Sequence, residues 1–468
     1  MKNLLLCFVL FFSSLFLHAQ IINIPDVNFK NALINTNCVD NNGDGSFDSD
    51  ADTNNDGEIQ VSEAESVLRL KVDNRLINTL QGIESFTYLE YFNCDGNFIT
   101  TLNLATAPNL IELNISGNDL ASFSISENQN LEIFDVYQNN LVALDITQNI
   151  SLKRLNCSDN NILNLDVSQN PNLEFLSCKR NNLSSLNISQ NPNLSFLGCS
   201  SNPLGSIDVS NNFNLTGIEC QNNGLTNLDL SDNPNLDYLV CRYNNLSAID
   251  LSLNPVLRYL QIDSNQFTDI DLSTNHQLLF FSCSNNQFNN VDVSQNPLLY
   301  HFKFDNNAIA SLDLSQNPNL TWIEGNNNHL RNFNIQNGNN TMLNRMKVSN
   351  NPNLLCIQVD DENYANTRTC NDNNWCKDVT ASYSELCELV GIEDFASEDF
   401  KLFPNPAENI LNIQSKAPIE NVKIYSPQGV LINEYSSNSI DVSQLSAGMY
   451  FVEVTVDGRK AIKKFIKN

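Results

Sequence analysis

The sequence is poor in residues that carry catalysis near neutral pH. It has 4 His in 468 residues. Beyond the first twenty residues these are His276, His301 and His329, and none lies at a metal-ligand spacing or beside a nucleophilic Ser or Cys motif. A glycine-rich phosphate loop is absent too, and the many carboxylates recur on a regular array with no pocket to separate their pKa values. The sequence therefore predicts a protein that is not an enzyme.

Basic residues are also scarce. The chain has 25 Lys and Arg against 53 Asp and Glu, a formal net charge of -28. Residues 400–468 are slightly basic, so the negative charge lies in the part before them. That part would repel phosphate backbones and anionic membranes. We expect no nucleic-acid partner and favour divalent cations instead.

Long hydrophobic runs are missing after residue 20, so no segment reaches the roughly 18 apolar residues of a membrane helix, and we expect no transmembrane insertion. The segment 1–19 has the pattern of a signal peptide. Lys2 precedes an apolar run from Leu4 to Leu17, and Ala19 precedes a plausible cleavage point. We therefore predict a mature chain that is secreted or held at the cell surface, in association with an outer membrane.

Against these absences stands one strict regularity, a leucine at every twenty-first position, which is a solenoid period. The leucines are Leu89, Leu110, Leu131, Leu152, Leu173, Leu194, Leu215, Leu236, Leu257, Leu278, Leu299 and Leu320. An asparagine stands at the eighth position after each. These are Asn97, Asn118, Asn139, Asn160, Asn181, Asn202, Asn223, Asn244, Asn265, Asn286, Asn307 and Asn328.

A coil such as residues 173–183 has the pattern LxxLxCxxNxL, which resembles the leucine-rich-repeat family, with an internalin-like array. The resemblance implies one short strand per coil with alternate residues inward, stacked against neighbouring coils. The Asn would turn inward and satisfy backbone groups at the bend. The rest of each repeat is too short for a long helix, so we expect a second short strand or a turn there.

The predicted fold is mostly β, a solenoid of about fourteen coils over residues 67–360. The ends of the stack need covers. We assign residues 20–66 to an N-terminal cap and residues 361–387 to a C-terminal cap. A linker over residues 388–399 then leads to a C-terminal domain over residues 400–468.

Twelve of the 13 cysteines lie after the predicted signal peptide and divide by position. Seven share one inward repeat position with aliphatic residues, which indicates buried small hydrophobic side chains. They are Cys94, Cys157, Cys178, Cys199, Cys220, Cys241 and Cys283. Cys356, Cys370, Cys376 and Cys387 cluster further on, and in an exported protein they favour two disulfides with three possible connectivities. Cys38 is left over.

Residues 52–63 match the EF-hand pattern D-x-[DN]-x-[DN]-G-x5-E at every defined position. The segment resembles EF-hand and dockerin loops, whose spacing surrounds Ca²⁺ with oxygen ligands. The resemblance implies as ligands Asp52, Asn54, Asp56, Glu58 through its carbonyl, Gln60 through water, and Glu63. We expect a structural Ca²⁺ that fixes the cap between a helix near residues 26–35 and a helix that begins over residues 62–67.

A second loop begins twelve positions earlier and departs from this pattern, because Ala51 stands where the bidentate Glu belongs. Its candidate ligands are Asp40, Asn42, Asp44 and Asp48. Two interpretations stay open. The loop binds a cation weakly or shares ligands with the first loop, or it is a solvated Asp/Asn turn.

Residues 400–468 lose the leucine period and alternate as β-strands with hairpin signals. Phe403-Pro404-Asn405-Pro406, Ser446-Ala447-Gly448-Met449-Tyr450 and the lysine-rich ending at Asn468 resemble the type A sorting domain of type IX secretion substrates. The resemblance implies a small β-sandwich that the outer-membrane export machinery recognises. Such a domain is usually cleaved, and the cargo is released or tethered to surface lipopolysaccharide.

Side chains two places after each repeat leucine should point outward on the concave face. Over eight coils this column is Phe175, Phe196, Gly217, Tyr238, Tyr259, Phe280, His301 and Trp322. At about 4.8 Å per strand the rings would form one stripe. The stripe suits sugar rings or an extended polypeptide; alternatively the rings only stack on one another and stiffen the sheet.

A second column, on the opposite side, consists of Asp145, Asp166, Asp208, Asp229, Asp250, Asp271, Asp292 and Asp313. Either bound cations relieve the repulsion between these carboxylates, or each Asp bonds its own turn and is screened by salt. From all these features we predict a non-enzymatic extracellular binding protein that recognises a protein or a glycan. The alternatives are an adaptor that joins surface components and a purely structural stalk.

Overall fold

A computed structural model of the chain describes residues 20–370, 374–387, 400–415, 418–426, 431–456 and 459–468. The chain forms two compact units, Met1–Glu385 and Leu386–Asn468. The predicted signal peptide and the predicted linker lie outside the described residues.

The regular secondary structure of the first unit consists mainly of very short strands. Its helices are α1 (Val27–Asn35), α2 (Val61–Ala64) and α3 (Glu362–Asn366), with 3-10 turns at Ile83–Ser85 and Asn340–Met342. Its strands are β1 (Arg69–Lys71), β2 (Tyr91–Asn93), β3 (Glu112–Asn114), β4 (Ile133–Asp135), β5 (Arg154–Asn156), β6 (Phe175–Ser177), β7 (Phe196–Gly198), β8 (Gly217–Glu219), β9 (Tyr238–Val240), β10 (Tyr259–Gln261), β11 (Phe280–Ser282), β12 (His301–Lys303), β13 (Ser311–Asp313), β14 (Trp322–Glu324), β15 (Asn332–Asn334), β16 (Arg345–Val348), β17 (Cys356–Gln358), β18 (Trp375–Lys377) and β19 (Ser382–Ser384).

Fifteen of these strands form one parallel sheet in the order β1 to β12, β14, β16 and β18. Through the regular repeats each residue pairs with its equivalent in the next repeat, as Phe175 does with Phe196. The fifteenth strand, β18, comes from residues predicted to form the C-terminal cap. A second parallel sheet joins β13, β15, β17 and β19 on the return segments of the last coils; earlier coils turn there instead. The predicted solenoid of about fourteen coils is confirmed.

Each coil buries the same inward positions, so the apolar core runs the length of the stack. In one coil Leu173, Leu176, Cys178 and Leu183 are all fully buried. The seven repeat cysteines are buried and carry free thiols, as the sequence predicts. Burial raises the pKa of Cys178 to about 12, which keeps its sulfur protonated and chemically inert.

The asparagine eight places after each leucine is the polar link between coils. Asn181 donates from Nδ2 to the carbonyl of Cys178 at 3.1 Å and to that of Cys157, one coil back, at 3.0 Å. Its Oδ1 accepts the N–H of Ile162 at 2.9 Å. One side chain thus satisfies three backbone groups that the bend turns into the core, as expected from the sequence.

A second asparagine ladder lies further along each repeat, and sequence analysis did not single it out. Its members are Asn128, Asn149, Asn170, Asn191, Asn212, Asn233, Asn254, Asn275, Asn296 and Asn317, all fully buried. Asn191 donates from Nδ2 to the carbonyls of Val167 and Asn170 at 2.9 and 2.8 Å. Asparagine side chains therefore hydrogen-bond each coil to the previous one at two separate bends.

The N-terminal cap contains the two helices that the sequence predicts. Asp26 begins α1, because its Oδ1 accepts the N–H groups of Asn28 and Phe29. Gln60 and Glu63 form a capping box at the start of α2. At the other end, a disulfide joins Cys370 and Cys376, and Cys356 of the same unit is also disulfide-bonded.

The second unit is antiparallel. Its strands are β20 (Phe400–Phe403), β21 (Ile410–Ser415), β22 (Asn421–Tyr425), β23 (Leu431–Tyr435), β24 (Ser439–Asp441), β25 (Gly448–Val456) and β26 (Arg459–Lys467). They form a three-stranded sheet, β20-β21-β24, and a four-stranded sheet, β23-β22-β25-β26. One apolar core that includes Leu411, Ile424 and Phe465 contains residues of both sheets, which agrees with the predicted sandwich.

Replacement of Asn181 by Ala should destabilise the solenoid. The N–H of Ile162 would lose its partner in a dry interior. The carbonyls of Cys157 and Cys178 would each keep one other asparagine donor but lose that of Asn181, for a total cost of about 2–4 kcal/mol. Urea unfolding of the variant should show an earlier midpoint than the wild type. The matched control is Asn182→Ala at the exposed neighbouring position, which should unfold like the wild type. Equal midpoints for the two variants would contradict the role of the ladder.

Candidate functional site

The outer face of the fifteen-stranded sheet carries the predicted aromatic column, and its rings stack directly. Phe175 and Phe196 lie 4.9 Å apart between ring centroids with planes 9° apart. Tyr259 stacks on Tyr238 at 4.7 Å and on Phe280 at 4.3 Å. These contacts follow from the register, which places each ring one strand from the next.

The column continues through His301, whose ring lies 4.6 Å from Phe280 and 5.1 Å from Trp322. Arginine terminates it at both ends. The guanidinium of Arg154 lies 3.9 Å from the Phe175 centroid, and that of Arg345 lies 4.3 Å from the Trp322 centroid. Sequence analysis missed both, although Arg154 stands two places after Leu152 and so belongs to the same column.

Gly217 interrupts the column. A Cβ there would lie 2.9 Å from Cδ2 of Phe196, so Phe196 leans over the glycine. Stacking also hides most of the ring surface, since Phe280 is only 8 % exposed. The column therefore presents ring edges rather than open faces, which supports the stacking interpretation, while ligand binding stays a prediction.

Burial keeps the column free of ionisation near neutral pH. Burial, together with the nearby Lys303 ammonium, lowers the pKa of His301 to about 4. Burial, with the nearby carboxylate of Glu219, raises the pKa of Tyr238 to about 12. The rings between the two terminal arginines thus form an uncharged surface in a strongly acidic chain.

Ion pairs run beside the stripe on the same face. The Lys179 ammonium lies 2.5 Å from a Glu219 carboxylate oxygen, two coils away. Glu324 bridges Lys303 at 2.9 Å and Arg345 at 2.5 Å. These polar groups border the rings, as the rim of an interface does.

The aspartate column is satisfied by its own turns. Asp166, for example, accepts the N–H of Ser168 at 2.9 Å, and this bond lowers the pKa of the carboxyl. The same bond recurs along the column, as at Asp250 with Ser252. The interpretation of this column as turn-bonded carboxylates needs no cation.

The candidate calcium loop is bent by its own hydrogen bonds. Asp52 accepts the N–H of Gly57 at 2.8 Å, and Glu63 accepts that of Gln60 at 3.0 Å. Asp56 receives the amide of Gln60 at 2.9 Å. Within the described part of the chain, no three Asp, Glu, His or Cys side chains converge on one point that could hold a metal. The donor chemistry, all oxygen, still suits a hard cation.

Two comparisons concern sequence. Residues 401–468 match the family model described as a secretion system C-terminal sorting domain. A search of curated protein sequences gave no match. The described residues also contain no helix with the length and apolarity to cross a bilayer. The predicted type IX sorting domain is therefore confirmed, and with it export to the cell surface or beyond.

Comparison with solved structures identifies the fold of the solenoid. The functional domain of InlJ from Listeria monocytogenes, described as including a cysteine ladder, is 24% identical, with a TM-score of 0.59 over 88% of this chain and 93% of that one. The Leptospira interrogans leucine-rich-repeat protein LIC12759 is 22% identical, with a TM-score of 0.55 over 64% of this chain and 79% of that one. The internalin InlF of Listeria monocytogenes is 21% identical, with a TM-score of 0.52 over 64% of this chain and 95% of that one.

At these identities the likeness establishes fold and not ligand. This chain itself has a buried cysteine at one inward repeat position and two asparagine ladders that join each coil to the previous one. The first unit has the leucine-rich-repeat solenoid fold of these structures, and residues 401–468 belong to the secretion system C-terminal sorting domains.

Proposed function

We propose that the outer face of the solenoid binds an extended polypeptide or a glycan of another molecule outside the cell. The observation that carries the proposal is the aromatic column itself. Neutral, mutually stacked rings follow neighbouring strands and are bordered by ion pairs. Rings already fixed by their neighbours lose little side-chain entropy on binding, so contact with their edges yields net affinity.

Catalysis is not part of this proposal. The imidazole of His301 on the outer face is held neutral between two aromatic rings. The column of rings places no Ser or Cys beside it that it could activate as a nucleophile. The repeat cysteines are buried thiols whose pKa is raised. The chemistry that these side chains support is recognition, with the protein as an adhesin or as an adaptor between surface components.

We propose further that residues 52–63 bind a structural Ca²⁺. The ligands would be Asp52, Asn54, Asp56, Gln60, Glu63 and the carbonyl of Glu58. In support, Asp52 is only 4 % exposed, and the loop leads directly into the capping box of α2. A bound ion would hold the two cap helices over the first coil.

Alanine in place of Tyr259 and Trp322 should weaken binding at least tenfold, because anchoring aromatic side chains contribute about 2 kcal/mol or more. Mature full-length protein would capture partners from extracellular extracts and be screened on a glycan array, with affinities then measured on the captured molecule. Protease treatment of the extract separates a protein partner from a glycan.

The matched control for this experiment is Phe213→Ala, an exposed ring in a turn outside the strands. Its affinity should stay within twofold of wild type. The double variant should melt as a folded protein. If it binds its partner as tightly as the control does, the outer face is not the binding surface.

His301→Phe should make the protein less sensitive to acid. The unfolded chain protonates this His near pH 6.5, but the folded chain does so only near pH 4, so wild type loses stability as the pH falls through this interval. Because the ring is partly exposed, the gain is about 1 kcal/mol at pH 4. Melting curves from pH 7 to 4 should diverge in favour of the variant, whereas His329→Gln, at an exposed position, should follow wild type.

Removal of calcium should lower the melting temperature of the mature protein, since an ion bound only by the folded cap stabilises it by mass action. The measurement is a thermal scan with 1 mM Ca²⁺ and with a chelator. Glu63→Gln should abolish the difference because it removes the bidentate ligand. A chelator that leaves the wild-type melting temperature unchanged would disprove the structural role.

A further inference from the structure

The two loops of the N-terminal cap have the same internal geometry. The first Asp of each accepts the N–H of the Gly at the sixth position, at 3.1 Å for Asp40 and Gly45 and 2.8 Å for Asp52 and Gly57. Both glycines lie in the left-handed region, with φ of 87° and 82°. Two further bonds, from the fifth N–H to the third side chain and from the seventh to the fifth, lie between 2.8 and 3.0 Å in both loops.

The loops differ in what faces the first carboxylate. The Arg69 guanidinium lies 3.0 Å from Oδ2 of Asp40, whose side chain is fully buried. A carboxylate in that position requires a positive partner. The loop also has Ala51 at its twelfth place, where a calcium loop supplies two oxygens.

Backbone pairing places Arg69 there. Asp40 donates its N–H to the carbonyl of Arg69 at 3.2 Å, and Val39 forms an antiparallel bridge with Leu70. On its other side the guanidinium lies 4.4 Å from the Tyr91 centroid. Tyr91 also contacts Phe47 of the same loop, with 5.6 Å between centroids.

We propose that Arg69 takes the place of the cation in residues 40–51, so that this loop is a calcium-type loop closed by the chain's own guanidinium. A divalent ion at Asp40 would meet a fixed positive charge and would lack the bidentate ligand. Through Tyr91 and Phe47, the same guanidinium joins the cap to the first strands of the outer face. That connection needs no metal, and it stands whether or not residues 52–63 bind calcium.

Hydrogen–deuterium exchange of the mature full-length chain tests this, read from peptides over residues 40–51 and 52–63 in 10 mM Ca²⁺ and in chelator. In wild type, exchange over 40–51 should stay within twofold between the two conditions. In Arg69→Gln it should rise at least tenfold in chelator, and Ca²⁺ should reverse the rise because the ion then supplies the positive charge that the buried Asp40 carboxylate has lost. Arg69→Lys, which keeps a positive charge, should remain unresponsive to calcium.

The matched control is Arg154→Gln, which also removes a guanidinium stacked on an outer-face ring but leaves the loop untouched. A calcium response over residues 40–51 in wild type would overturn the proposal. So would an Arg69→Gln loop that calcium does not protect. A wild type in which residues 52–63 ignore calcium would instead defeat the separate proposal for that loop and leave this one standing.

Discussion

The structure depends on one constraint: a chain that makes a complete coil in every short repeat must turn backbone amides and carbonyls into a dry interior at each corner. Leucines alone could not fill those corners, because an unpaired buried polar group costs about as much as a buried side chain gains. Asparagine solves this with one short amide. At Asn181 it serves two carbonyls and one N–H, across two coils. The ladders thus fix both the bend of each coil and its distance from the next.

This coupling explains how much of the fold could be predicted from the sequence. The leucine and asparagine positions recur without interruption. The strand, the bend and the inward cysteine position assigned in one coil could therefore be extended to the other coils. The second ladder carried the same signal, for Asn170 and Asn191 share one phase of the repeat. That stretch nevertheless has the composition of a polar turn, where asparagine is ordinary, so the pattern alone does not distinguish a buried ladder from a solvated turn. Only the packing shows that these side chains are buried.

The site was less predictable, because its contacts depend on non-repeating neighbours. The column of rings followed from the period of the repeat. The exposure of ring edges instead of ring faces depends on the orientation of the ring planes, which a sequence pattern does not contain. Arg69 and Asp40 are distant in the sequence, and they meet only because Val39 pairs with Leu70. A motif search compares each loop with a pattern. It cannot show that a distant guanidinium already fills the place of the ion.

Inward and outward positions of each strand have different constraints on residue type, and this difference is relevant to the proposed binding role of the solenoid. Inward positions hold apolar side chains, chiefly Leu, Ile, Val, Phe and Cys, together with the ladder asparagines, whereas the outward column accepts Phe, Gly, Tyr, His and Trp in the same backbone setting. Substitution on the outer face therefore leaves the ladders and the inward contacts of the core intact. Because each coil contacts mainly its neighbours, such a change stays local. A surface whose side chains differ from coil to coil over a repeating frame is suited to binding, since its rings are already fixed by their neighbours.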